Sequence, residues 1–79
     1  MSEYAVSDEL RRDLERRYKR IAPAGDSPER HGFVMDAVVA CALVIARSCP
    51  DSRERDAAFA RLEEAQFWSN AAIARHPQC

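Results

Sequence analysis

Glycine is scarce: Gly25 and Gly32 are the only two in 79 residues. A phosphate-cradling Gly-rich loop or a nucleophile elbow cannot be built from that supply. Histidine is equally sparse. His31 and His76 stand far apart, and neither lies at metal-ligand spacing with a cysteine or a carboxylate. The three cysteines, Cys41, Cys49 and Cys79, are odd in number and form no Cys-x-x-Cys pair. No zinc site or disulfide framework can be read from them, and free thiols in a reducing cytosol are expected. Net charge is also small, at −1, which argues against general affinity for nucleic acid. Glu63 and Glu64 are adjacent, so on a helix they point about 100° apart and do not pair for acid–base work. The longest apolar run, Phe33–Ala46, covers 14 residues and contains Asp36. A bilayer span needs about 20 apolar residues, so a buried helix is expected and a membrane anchor is not. Residues 1–20 are polar and charged, so no signal peptide is expected. An enzyme is not expected either, and no cofactor or metal is called for.

What is present reads as helix. The chain is long enough for one domain with a marginal core, so a staple or an oligomer is needed. After an arm over Met1–Val6, Ser7 is a good N-cap, with Asp8 and Glu9 in the first turn, where the helix dipole favours acids. Leu10, Leu14, Tyr18 and Ile21 recur at helical spacing and give one narrow apolar stripe. The helix should end near Arg20 or Ile21, because Pro23 disfavours helical geometry in Ala22. Residues 22–27 read as a turn. Ser27 caps a second helix with Pro28 at its first position. Pro50 stops that helix. Asp51 or Ser52 caps the third, which runs to about Arg75, and Asp51 with Glu54 has capping-box spacing. The expected architecture is all-α: an N-terminal arm and helix over 1–21, then an antiparallel helical hairpin over 27–76, within a single domain 1–79.

The second helix drives the assembly argument. From Phe33 to Ala46 every residue but Asp36 is apolar. A surface helix would show a polar back, and this one is apolar all round. The third helix can cover one face. The other requires another copy of the chain or a partner, so an obligate oligomer is expected. Gly32, inside this helix, either permits a close backbone approach or is neutral.

Binding candidates cluster in two places. From Arg11 to Arg20 there are six basic residues and two acidic ones, a local +4. Tyr18 sits there beside Arg17 and Lys19. Its ring could stack on a base while the cations meet phosphate, or it could complete the apolar stripe with its hydroxyl at the surface. The second cluster is Ala60–Arg75, a stretch with no Gly or Pro, five alanines and the only Trp. Arg61, Glu64, Trp68 and Arg75 share one side of it. Arg61 and Arg75 could fork onto phosphate oxygens or pair with neighbouring acids. Trp68 is a stacking platform or, more commonly for its type, a packing residue. Asn70 could read a base edge or simply face solvent.

At this point a resemblance enters. The run Cys49-Pro50-Asp51-Ser52-Arg53-Glu54-Arg55, then Ala58, Leu62-Glu63-Glu64-Ala65, Trp68 and Asn70-Ala71-Ala72-Ile73-Ala74-Arg75 resembles the helical-hairpin domain of phage anti-defence sponges. Ser27-Pro28-Glu29-Arg30 before an apolar helix also fits, and the likeness covers about residues 18 to 76. These sponges include anti-CBASS proteins, which sequester cyclic oligonucleotides, and anti-Thoeris proteins, which sequester cyclic ADP-ribose isomers. The resemblance implies a small helical protomer in a hexamer, with pockets at subunit interfaces that hold cyclic di- or trinucleotides without cutting them. It implies action in the cytoplasm of an infected bacterial host. It also implies ligand roles for Tyr18 and Lys19, with Tyr4 as the alternative tyrosine, and for Arg61 with Arg75 behind it. The extra N-terminal β domain of many anti-Thoeris members has no room here, which favours the anti-CBASS type. The rival readings are a small helical adaptor whose second helix docks a partner protein, and a helical nucleic-acid binder using Arg11–Arg20.

Overall fold

The computed structural model describes residues 3–19 and 28–76. Three helices follow in order, α1 (Asp8–Lys19), α2 (Pro28–Ser48) and α3 (Arg53–Arg75), and there is no strand among the described residues. The caps account for the boundaries. Ser7 Oγ accepts from the Leu10 N–H at 3.0 Å and opens α1. Ser52 takes the extended conformation of an N-cap, and its Oγ accepts from the Arg55 N–H at 3.1 Å. Of the two capping candidates it is therefore Ser52 that opens α3. Asp51 instead pairs with Arg55 at 3.3 Å. The His76 N–H closes α3 on the Ala72 carbonyl at 3.1 Å. The expected end of α1 at Arg20 or Ile21, the turn at 22–27 and the Ser27 cap lie outside the described residues.

Helices α2 and α3 form the antiparallel hairpin. His31 near the start of α2 meets Asn70 near the end of α3. Helix α1 packs on the pair, with Arg17 against Glu63 and Tyr18 against Phe59. Leu14, Tyr18, Val38, Ala42, Ala46 and Phe59 form the core, with Val6, Leu10, Val34, Val39, Leu43, Ile45 and Leu62 packed around it. Ala42 and Ala46, both fully buried, carry little side chain, so the helices approach closely there. The N-terminal arm lies back on this body. The Tyr4 N–H donates to the Arg47 carbonyl at 2.7 Å, and Val6 joins the core.

By length and composition Glu29–Ser48 would reach across a bilayer: 20 residues at a mean hydropathy of 1.5. Counting only Phe33–Ala46 hides this, because Glu29–Gly32 and Arg47–Ser48 lengthen the helix at its ends. The segment packs on both α1 and α3 through Val38, Ala42 and Ala46, but only 22% of it is buried in the single chain. Its outer side stays bare. Phe33 is 67% exposed, and Ala37, Ala40, Cys41 and Val44 follow it into solvent at helical spacing. Gly32 has no atom within 4 Å of where a Cβ would stand, so no close approach explains it.

Candidate functional site

The C-terminal turn of α1 is fastened to α3 by polar contacts. The Tyr18 hydroxyl donates to the Phe59 carbonyl at 2.9 Å. Gln66 Nε2 donates to the Tyr18 carbonyl at 2.9 Å, which satisfies one of the orphan acceptors of a helix end. Arg17 Nε meets Glu63 Oε1 at 2.7 Å, and the Arg17 guanidinium lies 5.8 Å from the Tyr18 ring centroid. Tyr18 is 0% exposed. It therefore offers no ring face to a base, and its hydroxyl is not at the surface. Tyr18 does complete the apolar stripe, packed in the core with Leu14, but its hydroxyl is turned onto α3 and not to the surface. Burial pushes the Tyr18 phenol above its ordinary pKa, and the neighbouring Arg17 charge offsets part of that rise.

Lys19 stands beyond this turn and is exposed, on the same outer side of α1 as Arg12 and Arg16. Arg16 pairs with Asp13 at 3.2 Å. Asp13, Arg16, Arg17 and Glu63 line an open groove of about 420 Å³ between α1 and α3. Its lining pairs its own charges, so it is not a bare anion site.

The outward face of α3 carries the other candidates. Arg61, Glu64, Trp68 and Arg75 are all exposed, as their shared side of the helix required. Arg61 Nη1 meets Glu64 Oε1 at 3.0 Å with both side chains largely in solvent, a pair worth about 0.2–1 kcal/mol. Arg75 ends the helix with no ion-pair partner among the described residues. Trp68 is 55% exposed, so it does not pack into this chain's core. Its one ring contact among the described residues is with Phe67, edge to face, at 5.2 Å between centroids and 81° between planes. Phe67 is 53% exposed and was missed in the sequence, where its adjacency to Trp68 was the available signal.

A polar seam runs beneath this face. His31, 3% exposed, donates from Nδ1 to Asn70 Oδ1 at 2.9 Å, so Asn70 faces the helix partner and not open solvent. His31 Nε2 and Gln66 Oε1 are buried without a hydrogen-bond partner. Gln66 was also missed. A polar residue seven positions after Phe59 falls on the same core-facing side, and that placement was its signal.

The six sequence-predicted site residues do not converge in one chain. Tyr4, about half exposed, sits beside Arg47 at the C-terminal end of α2. Arg75 marks the opposite end of the hairpin. Arg61 and Arg75 alone are about 21 Å apart at 1.5 Å per residue along α3. The described residues of this set are thus spread along a body 44 × 21 × 21 Å in extent.

Compared with known families, residues 10–74 match the model described as Acb2/Tad1, hairpin domain. The match takes in most of α1, which the motif-based likeness had left outside. Neither the curated proteins nor the solved structures compared with the chain provide a match.

Proposed function

Because the chain belongs to the Acb2/Tad1 hairpin-domain family, the family of anti-CBASS and anti-Thoeris cyclic-nucleotide sponges, we propose that it sequesters cyclic di- or trinucleotide immune messengers without cleaving them. The observation that carries this reading is the scatter of exposed cations and aromatics along an elongated member of that family. Lys19, Arg61, Arg75, Tyr4 and Trp68 are exposed and too far apart to serve one pocket in one chain. They become a site only where several copies meet. The bare apolar side of α2 supplies the means of meeting: Phe33, Ala37, Ala40 and Val44 gain about 25 cal/mol per Å² when a second copy covers them. The assembly is a hexamer with pockets at its subunit boundaries.

A cyclic oligonucleotide carries one phosphate per nucleotide, spaced around its ring. Cations contributed by different copies suit such spaced charges better than the adjoining phosphates of a cyclic ADP-ribose isomer. Lys19, Arg61 and Arg75 neutralise phosphates, and Tyr4 or Trp68 stacks on a base. Contacts gathered from several chains let so small a protomer reach high affinity. In the cytoplasm of an infected bacterium the bound messenger is withheld from its effector.

The test is calorimetric titration with a panel of cyclic dinucleotides, cyclic trinucleotides and cyclic ADP-ribose isomers, followed by heat release and chromatography of the ligand. Binding of a cyclic oligonucleotide with intact recovery supports the proposal. Binding of cyclic ADP-ribose isomers alone moves the chain to the anti-Thoeris type. Cleaved ligand replaces the sponge with an enzyme.

A further inference from the structure

Only six of the chain's residues are aromatic, and the structure spends them unevenly. Tyr18 and Phe59 are in the core, whereas Tyr4, Phe33, Phe67 and Trp68 are each about half exposed or more. Phe33 lies in a mostly apolar stripe, edged by Glu29 and Asp36 and without an exposed cation, as a contact between copies of a chain would. The Phe67–Trp68 pair lies in different company. Trp68 falls midway between Arg61 and Arg75, two helical turns from each on the same outward face. The only acid in that line, Glu64, is turned onto Arg61.

We propose that Phe67 and Trp68 form the base-stacking corner of the ligand site, with Trp68 taking the face of a purine and Phe67 holding the indole upright. This rests on the sponge reading above and names the residues that recognise the base. The edge-to-face contact, 5.2 Å and 81°, favours this orientation of the indole by about 0.5–1.5 kcal/mol while about half of each residue stays open. A planar base can lie on a ring held in this way without the side chain first losing its freedom. Arg61 and Arg75 each lie about 10 Å along α3 from Trp68, so one of them can reach a phosphate of a ligand stacked there, and the remaining phosphates fall to cations of other copies. Charge complementarity thus points to a nucleotide ligand, where the apolar stripe of α2 does not. Larger π-faces stack more strongly, so the corner selects purine over pyrimidine rings.

Trp68 is the chain's one tryptophan, so its emission reports on this corner alone. Cyclic di-AMP and cyclic di-UMP are titrated into the full chain while tryptophan fluorescence and calorimetric heat are recorded in parallel. The expected result is quenching by cyclic di-AMP that saturates with the calorimetric isotherm, and weaker binding of cyclic di-UMP. Trp68→Leu should weaken cyclic di-AMP about tenfold or more, Trp68→Phe less, and Phe67→Leu about two- to fivefold, in line with the loss of one stacking contact. Calorimetric binding with unchanged emission and unchanged Trp68→Phe affinity would overturn the corner and leave the sponge standing. Blue-shifted emission in the ligand-free protein, with loss of the oligomer in Trp68→Leu, would also overturn it by assigning the ring to a contact between copies. Absence of heat with any member of the wider cyclic-nucleotide panel would remove the sponge reading itself.

Discussion

The outward faces of α2 and α3 are equally bare but made of different material. Along α2 the exposed positions are Phe33, Ala37, Ala40, Cys41 and Val44, with Asp36 at the side. Along α3 they are Ala57, Arg61, Glu64, Phe67, Trp68, Ala72 and Arg75. The first face is mostly apolar, with Glu29, Asp36 and Ser48 only at its ends and edge and no exposed cation, and water is a poor neighbour for it. The second has flat rings between separated cations. One helix thus offers an adhesive surface and the other a selective one. The sponge proposal needs both, because no single chain brings its cations together.

The comparison breaks most sharply at α2. Val44→Asp places a charge where a second copy would cover it. An uncompensated buried charge costs about 3–5 kcal/mol, so the oligomer should fall to monomers by light scattering and ligand binding should fall with it. Circular dichroism should stay helical, since Val44 is already half exposed in the single chain. A Val44→Asp protein that stays fully assembled would show that α2 is not the joining face.

Arg61→Ala probes the other face. A hydrogen bond to a charged phosphate is worth about 1.5–3 kcal/mol, so affinity should drop tenfold or more by calorimetry. Assembly should not change, and the melting temperature should barely move, because the Arg61–Glu64 pair is a surface one.

Tyr18→Phe should cost about 1 kcal/mol of stability in a denaturant titration, for loss of the bond to the Phe59 carbonyl. It also carries a pH signature. Burial raises the phenol's folded-state pKa, so the fold favours the neutral form. That contribution is complete below the unfolded value of about 10 and is lost as pH climbs through the raised folded value. The wild-type chain should therefore lose stability in that alkaline range, and Tyr18→Phe should lose less. Equal alkaline losses would contradict the buried assignment. The smallest effect is expected from Gly32→Ala, which should stabilise the chain by about 0.5–1 kcal/mol in the same titration, because a methyl there meets open space. Destabilisation instead would mean that a second copy comes close at Gly32.

The helices, their caps and the bare side of α2 were legible because they depend on neighbours in sequence. Ser7, Pro50 and Ser52 act within a turn of themselves, and the Leu10–Leu14–Tyr18 stripe follows from helical spacing. The fate of Tyr18 was not legible. Its hydroxyl and carbonyl partners, Phe59 and Gln66, are 41 and 48 residues away. Periodicity assigns a side of a helix, but depth depends on what the other helices bring to that side. Asn70 was misjudged for the same reason, since His31 reaches it from 39 residues away. The line Arg61–Glu64–Trp68–Arg75 was read correctly as a shared face, while Phe67 was passed over because it lies about 100° round the helix from Trp68. The family likeness reached the hairpin from its motifs but took in only Tyr18 and Lys19 of α1, whose charged surface carries few distinctive residues.

Native mass spectrometry of the full chain with a cyclic dinucleotide tests the central claim most directly, because one spectrum reports both copy number and bound mass. The account predicts a multimer carrying whole, uncleaved ligand, with no ligand on any monomer. Ligand held by a monomer, or a bound mass corresponding to a cleaved product, would contradict it.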